Sequence, residues 1–210
     1  MVEFDFISVV IGAIFAFITR LVYDKLREPK LEIATVKETF IIYLSGWPRR
    51  RTFMIFPNQR LVTLAKAYRL RVFNKQKSFL NAPADNCVVW LELDDTNESY
   101  QLSWVGQLST VTINIGDKRD IDLCALLTQI GEIDSTGSFK REDKDIDNVI
   151  VVPTEHGYTR AEECKLLAEV NKVDKLTGKI RVSSANGKIV EKRIRITYNK
   201  TKRELDITLS

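Results

Sequence analysis

Fourteen residues near the amino terminus, Phe6 to Thr19, read FISVVIGAIFAFIT and carry no charge. A helix that is apolar on every side must be covered by protein or by lipid, and no other stretch of the chain restricts its folding as strongly. Counting on through Arg20, Leu21, Val22 and Tyr23 gives 18 residues, about 27 Å of helix against a bilayer core of about 30 Å. A core of this length also suits a signal peptide, an interfacial helix or a buried helix. However, Glu3 and Asp5 stand where a signal peptide needs bases, and no A-x-A-like cleavage site follows. Arg20 can snorkel to the interface and Tyr23 fits the interfacial belt. We therefore expect a single transmembrane helix whose partner, over residues 6–23, is the lipid bilayer.

Arg20, Lys25, Arg27 and Lys30 follow the apolar core, and no Lys or Arg precedes it. The positive-inside rule then places the amino terminus outside and the rest of the chain in the cytoplasm, as a single-pass protein of the cell membrane. Pro29 forbids simple continuation of the helix. Ser8, Gly12 and Ala16 fall four apart on one helix face, a small-xxx-small stripe along which two anchors could pack as a homodimer.

Residues 1–30 form the anchor and its juxtamembrane segment, and residues 31–210 are enough for one domain with a substantial core. Charged residues make up 29% of the chain and aromatics 9%, which excludes wholesale disorder. The net charge of +4 belongs to residues 31–210, because the first 30 carry four charges of each sign. That excess suits a domain beside an anionic leaflet and is too small to call for nucleic acid. Cys87, Cys124 and Cys164 lie far apart with no CxxC spacing, an odd count that fits a reducing compartment. Alternation sets Cys87 inward with Val89, Leu91 and Leu93. It sets Cys124 on the face of Asp120 and Asp122 as the more accessible thiol, with nothing nearby to lower its pKa.

From Leu31 onward the dominant period is two, the mark of half-buried strands. Tyr68, Leu70 and Val72 alternate with Arg69 and Arg71; Tyr100, Leu102 and Trp104 alternate with Gln101 and Ser103. Turns are expected at Asp94–Asn97, at Gly116-Asp117 and at Asn186-Gly187, the last as a type I′ hairpin with positive φ at both central positions. A second turn at Asn199–Lys202 would return Glu204–Leu209 and complete a carboxy-terminal meander. Ile133–Asn148 is polar and reads as a long exposed loop. Thr159 and Glu162 match a capping box and good helix formers follow, so a short helix is expected near 160–170, although Cys164, Leu166, Ala168 and Val170 also alternate. The fold class is mainly β: an antiparallel sandwich behind one membrane helix.

Several segments together carry a family resemblance: the anchor closing on Pro29-Lys30-Leu31, YRLRVFN at 68–74, Asn86-Cys87 opening a long strand, Tyr100–Trp104, GDKRDIDL at 116–123 and GKIRVSSANGKIVEKRIRI at 178–196. The chain resembles uncharacterised prokaryotic membrane-anchored proteins with an immunoglobulin-like β-sandwich domain. The resemblance implies that fold and supplies no catalytic residues.

The chemistry legible in the sequence is sparse. The single histidine, His156, sits in the turn-like Pro-Thr-Glu-His-Gly-Tyr with no GxSxG or metal-spaced partner, and no GxGxxG or GxxxxGK[ST] occurs. Asp143-x-Asp145-x-Asp147-Asn148 opens like a calcium loop but has Thr154 where a bidentate Glu is needed. No catalytic residue, cofactor or metal is expected. Arg69 and Arg71 share one strand face, Arg193 and Arg195 another, and Arg49, Arg50 and Arg51 follow Trp47-Pro48. These seven arginines are candidates for anionic headgroup contact by bidentate bonds. Trp90 and Trp104 read as packing residues.

The expected function is a non-enzymatic membrane-tethered adaptor that presents a cytoplasmic β-sandwich to a partner protein. The alternative is an extracytoplasmic module for carbohydrate or cell envelope with reversed topology, in which Asn97-Glu-Ser and Asn199-Lys-Thr would be sequons.

Overall fold

The structure, a computed structural model, describes residues 6–45, 60–75, 81–96, 98–106, 109–133, 139–141, 149–153, 165–169 and 175–210. Among the described residues one helix, α1 (Phe6–Arg27), leads into thirteen strands. These are β1 (Leu31–Thr35), β2 (Phe40–Ser45), β3 (Arg60–Asn74), β4 (Ala84–Leu93), β5 (Ser99–Trp104), β6 (Val111–Ile113) and β7 (Lys118–Ile133). They continue as β8 (Phe139–Arg141), β9 (Val149–Val152), β10 (Lys165–Glu169), β11 (Lys175–Ser183), β12 (Val190–Asn199) and β13 (Glu204–Leu209).

α1 is helical throughout the stretch expected to enter lipid, and it runs four residues further, to Arg27. Arg20 pairs with Asp24 at 3.9 Å and Arg27 lies over the Tyr23 ring at 5.4 Å, both one turn apart. From Val9 to Arg27 every residue is exposed. Among the described residues no helix is long and apolar enough to cross a membrane: from Val9 on, any 18-residue stretch takes in Arg20, Asp24 and Lys25.

The strands pair antiparallel in one sheet along the path β1-β3-β7-β5-β4-β11-β12-β13, which curls until it is nearly barrel-shaped. This differs from the two separate sheets of an immunoglobulin-like sandwich. β5 accounts for part of the difference, because its first residues pair with β4 and its last two, Ser103 and Trp104, pair with β7. One short strand thus carries hydrogen bonding round a corner. Side chains brace β13, the last strand of the path, to β3, the second: the Leu205 amide donates to the Tyr68 hydroxyl at 2.8 Å, and Lys66 Nζ meets Glu204 Oε1 at 3.0 Å. Burial pushes the Tyr68 phenol up to about 12, so it stays a neutral partner for that amide.

β3 and β7 form a long ribbon whose register shifts between Leu64 and Ala65 and between Tyr68 and Arg69. The second bulge leaves Leu123 without a direct partner and re-aims β7. Beyond it Cys124 and Leu126 point into the main core with Tyr68, Leu70, Leu91, Leu102 and Trp104, while Ala125 and Leu127 join Ala65, Ala67 and Val151 in a second cluster. Cys124 is therefore wholly buried, contrary to the exposed position that unbroken alternation assigns it.

Other expectations change with the pairing. Lys165–Glu169 is strand and pairs with β9, so the helix expected near 160–170 is absent over those five residues. β8 pairs with the end of β7 inside the stretch expected to be loop. β11 and β12 do form the expected hairpin, but neither Asn186 nor Gly187 has positive φ, so the turn is not type I′. The turn at Asn199–Lys202 is as expected, with the Lys202 amide donating to Asn199 Oδ1 at 3.1 Å.

Candidate functional site

A knot of polar contacts lies at the foot of α1. The helix stops because Pro29 cannot extend it, and Pro29 is buried. The Ala82 amide donates to the Arg27 carbonyl at 2.9 Å, and the Lys75 amide donates to the Lys30 carbonyl at 2.8 Å. Asn74, fully buried at the end of β3, ties these segments together. Its Oδ1 accepts the Lys30 amide at 3.2 Å, and its Nδ2 donates to the carbonyls of Ala82 and Ile113 at 3.1 and 3.0 Å. The backbone at Asn74 also bonds to Gly116 and Asp117, so the turn expected at Gly116-Asp117 closes the same knot. Gly116 takes a φ of 79° there, which glycine tolerates.

The β11–β12 connection is fastened beside it. Asn186 Nδ2 donates to the Pro83 carbonyl at 2.8 Å and its Oδ1 accepts the Asp85 amide at 3.0 Å. A Cβ at Gly187 would stand 2.6 Å from Pro29 Cγ. The Asn-Gly pair thus serves side-chain bonding and close approach, which explains why its turn geometry differs from the expected one.

These contacts leave an open groove of about 380 Å³. Lys30, Lys75 and Lys188 line it together with Glu28, Glu32 and the apolar Leu31, Ile189 and Val190. Glu28 Oε2 holds two cations at once, Lys188 Nζ at 3.2 Å and Lys30 Nζ at 3.7 Å. The Glu28 side chain is only 13% exposed. Burial raises its pKa, but the two ammonium groups outweigh that and the net shift is downward, so it is ionised at neutral pH. Lys75 pairs with Glu32. Ile189 projects beside Lys188 and is 60% exposed.

The arginines singled out in the sequence are placed elsewhere. Arg69 Nε donates to Asp122 Oδ1 at 2.7 Å, with its guanidinium 4.0 Å from the centre of the Phe40 ring. Arg71 grips Asp120 with two bonds of 2.6 and 2.8 Å. Burial pushes the Asp122 carboxyl up, against the opposing pull of Arg69. Arg193 reaches Asp94 at 3.5 Å, and Arg195 is exposed on the same face of β12. β3 and β12 are not neighbours in the sheet. Arg49, Arg50 and Arg51 lie outside the described residues, as do His156, Cys164, Asp143, Asp145 and Asp147. In α1, Gly12 has nothing within 4 Å of an added Cβ and Ala16 is exposed, while Ser8 is helical.

Cys87 and Cys124 are both buried; burial raises the Cys87 thiol to about 11 and the Cys124 thiol further. Trp104 is a packing residue, its indole donating to the Cys87 carbonyl at 3.0 Å, whereas Trp90 is half-buried. Among the described residues no three His, Cys, Asp or Glu side chains are grouped to hold a metal. Glu28, Lys75 and Lys188 were not among the sequence candidates. They lie far apart in the chain, and the one visible signal was the run of cations ending at Lys30. No protein-family model matches the chain, and comparison with curated proteins and with solved structures finds no match.

Proposed function

We propose that the chain is a non-enzymatic, membrane-tethered interaction module, with α1 in the bilayer and residues 31–210 facing the cytoplasm to receive a partner protein. The observation that carries this reading is the exposed surface of α1. Its residues from Val9 to Ile18 are apolar or small on all sides and none is covered by the β body; Phe15 is 70% exposed and Phe17 64%. Such a helix requires an apolar surrounding, and a bilayer supplies one. The chain order, an apolar helix followed by a β body, is the order that the resemblance to prokaryotic membrane-anchored proteins implies.

Orientation follows from Arg20, Lys25, Arg27 and Lys30, all on the side of the β body. Tethering would act by raising the effective concentration of whatever the body holds near the membrane. Among the described strands β2 pairs on one side only, with β3, and carries Ile41, which is 65% exposed. That edge suits strand addition by a partner. Protease treatment of sealed membrane vesicles tests the reading. The β body should be digested in inside-out vesicles and protected in right-side-out ones. The reverse pattern would favour an extracytoplasmic binding module, and recovery of the intact chain in the aqueous wash would remove the tether.

A further inference from the structure

We propose that the groove at the foot of α1 binds the phosphate of an anionic phospholipid and so seats the β body on the bilayer surface in one orientation. The inference rests on the membrane-tethered reading above and adds a ligand class to it. Three lysines from separate segments, Lys30, Lys75 and Lys188, meet two glutamates in the groove. The formal balance is one positive charge, the complement of a phospholipid headgroup whose net charge is one negative.

Glu28 acts as the organiser. By holding Lys30 and Lys188 on a single oxygen it fixes two ammonium groups side by side. Each ammonium has three donors, so each keeps N–H groups for an anion after its bond to Glu28. Position decides between a lipid and a soluble anion. The groove starts at Glu28, one residue past the end of α1, at the level where a bilayer around α1 would place its headgroups. Ile189, exposed beside Lys188, can enter the interfacial layer next to the phosphate. Lys25 and Arg27 lie on the last turn of the helix at that depth and add to the attraction of an anionic leaflet.

The test uses the full chain in nanodiscs of phosphatidylcholine alone, or of phosphatidylcholine mixed with phosphatidylglycerol. Lysine acetylation is read peptide by peptide by mass spectrometry. The anionic lipid should lower modification of Lys30, Lys75 and Lys188 several-fold, roughly five-fold where a cation's surface attraction is fully engaged, and leave Lys179 and Lys192 unchanged. In a Lys75→Gln, Lys188→Gln double variant the protection of Lys30 should disappear; if it persists, general surface potential is responsible and the groove is not a site. Equal modification in both lipids, with the chain still in the discs, overturns the inference and leaves the tether standing. Failure of the chain to enter discs removes both. Protection by glycerol phosphate in phosphatidylcholine discs would show a free-anion site and overturn the lipid assignment.

Discussion

Asn74 shows how much one buried polar side chain can organise. It satisfies the Lys30 amide and the carbonyls of Ala82 and Ile113, three groups from three segments. Each buried group left without its partner costs roughly 1–3 kcal/mol. Asn74→Leu, close in volume but without polar atoms, should therefore lower stability by about 3 kcal/mol, read as a fall in the urea midpoint. Glu28 makes a different prediction at the same scale. Its pKa in the fold lies below the ordinary 4.5, so its contribution is present above pH 4.5 and is lost as pH falls through the folded value. Glu28→Gln should cost roughly 0.5 kcal/mol at pH 7, as partly exposed ion pairs do. The gap between the two proteins in urea melts should close on acidification below the ordinary value; a gap that persists at low pH would mean packing is responsible. Asn74 stood in the sequence only as the last residue of YRLRVFN, because a hub is defined by what surrounds it.

At the scale of elements, period-two patterning identified strands where one face is core and the other is wet. Tyr68, Leu70 and Val72 are buried, and Arg69 and Arg71 face outward on β3, as the pattern requires. The pattern lost track where a bulge interrupted it: past Leu123 the inward set shifts by one, and Cys124 moved from the expected outer face to the core. At Lys165–Glu169 the alternation agreed with the strand found, and helix propensity was the misleading signal, because pairing with β9 overrides residues that favour helix. Close strand approach is a further tertiary demand. At Gly178 an added Cβ would run into the Glu92 carbonyl oxygen on β4, a backbone atom held by the sheet. Gly178→Ala should destabilise by about 3 kcal/mol, while Gly12→Ala, with open space around it, should leave the melting temperature of the β body unchanged. Thermal melts followed by circular dichroism compare the two directly.

For the whole molecule, the central contrast is between a body that hides its apolar residues and a helix that displays them. Large apolar side chains such as Leu70, Leu91 and Trp104 are fully buried, whereas Ile11, Phe15, Phe17 and Ile18 are all more than half exposed. A contiguous apolar surface on this scale promotes association in water. The purified full-length chain should need detergent to stay monodisperse, and size-exclusion chromatography without detergent should show aggregates or oligomers through α1. A monodisperse monomer in plain buffer would contradict the tethered reading.

The sequence alone determined properties that depend on neighbours along the chain: a helix apolar on all sides, its stop at Pro29, the alternating strands and the places where turns interrupt them. These follow from local periodicity and from the limits that proline and glycine set on the backbone. Tertiary structure decided how the strands close into one curled sheet, which face Cys124 takes, and which cations are already bonded to carboxylates. It also brought Lys30, Lys75 and Lys188 to one groove around Glu28. The physical reason is distance along the chain: pairings between segments more than a hundred residues apart depend on which surfaces remain to be buried, and no local pattern carries that information.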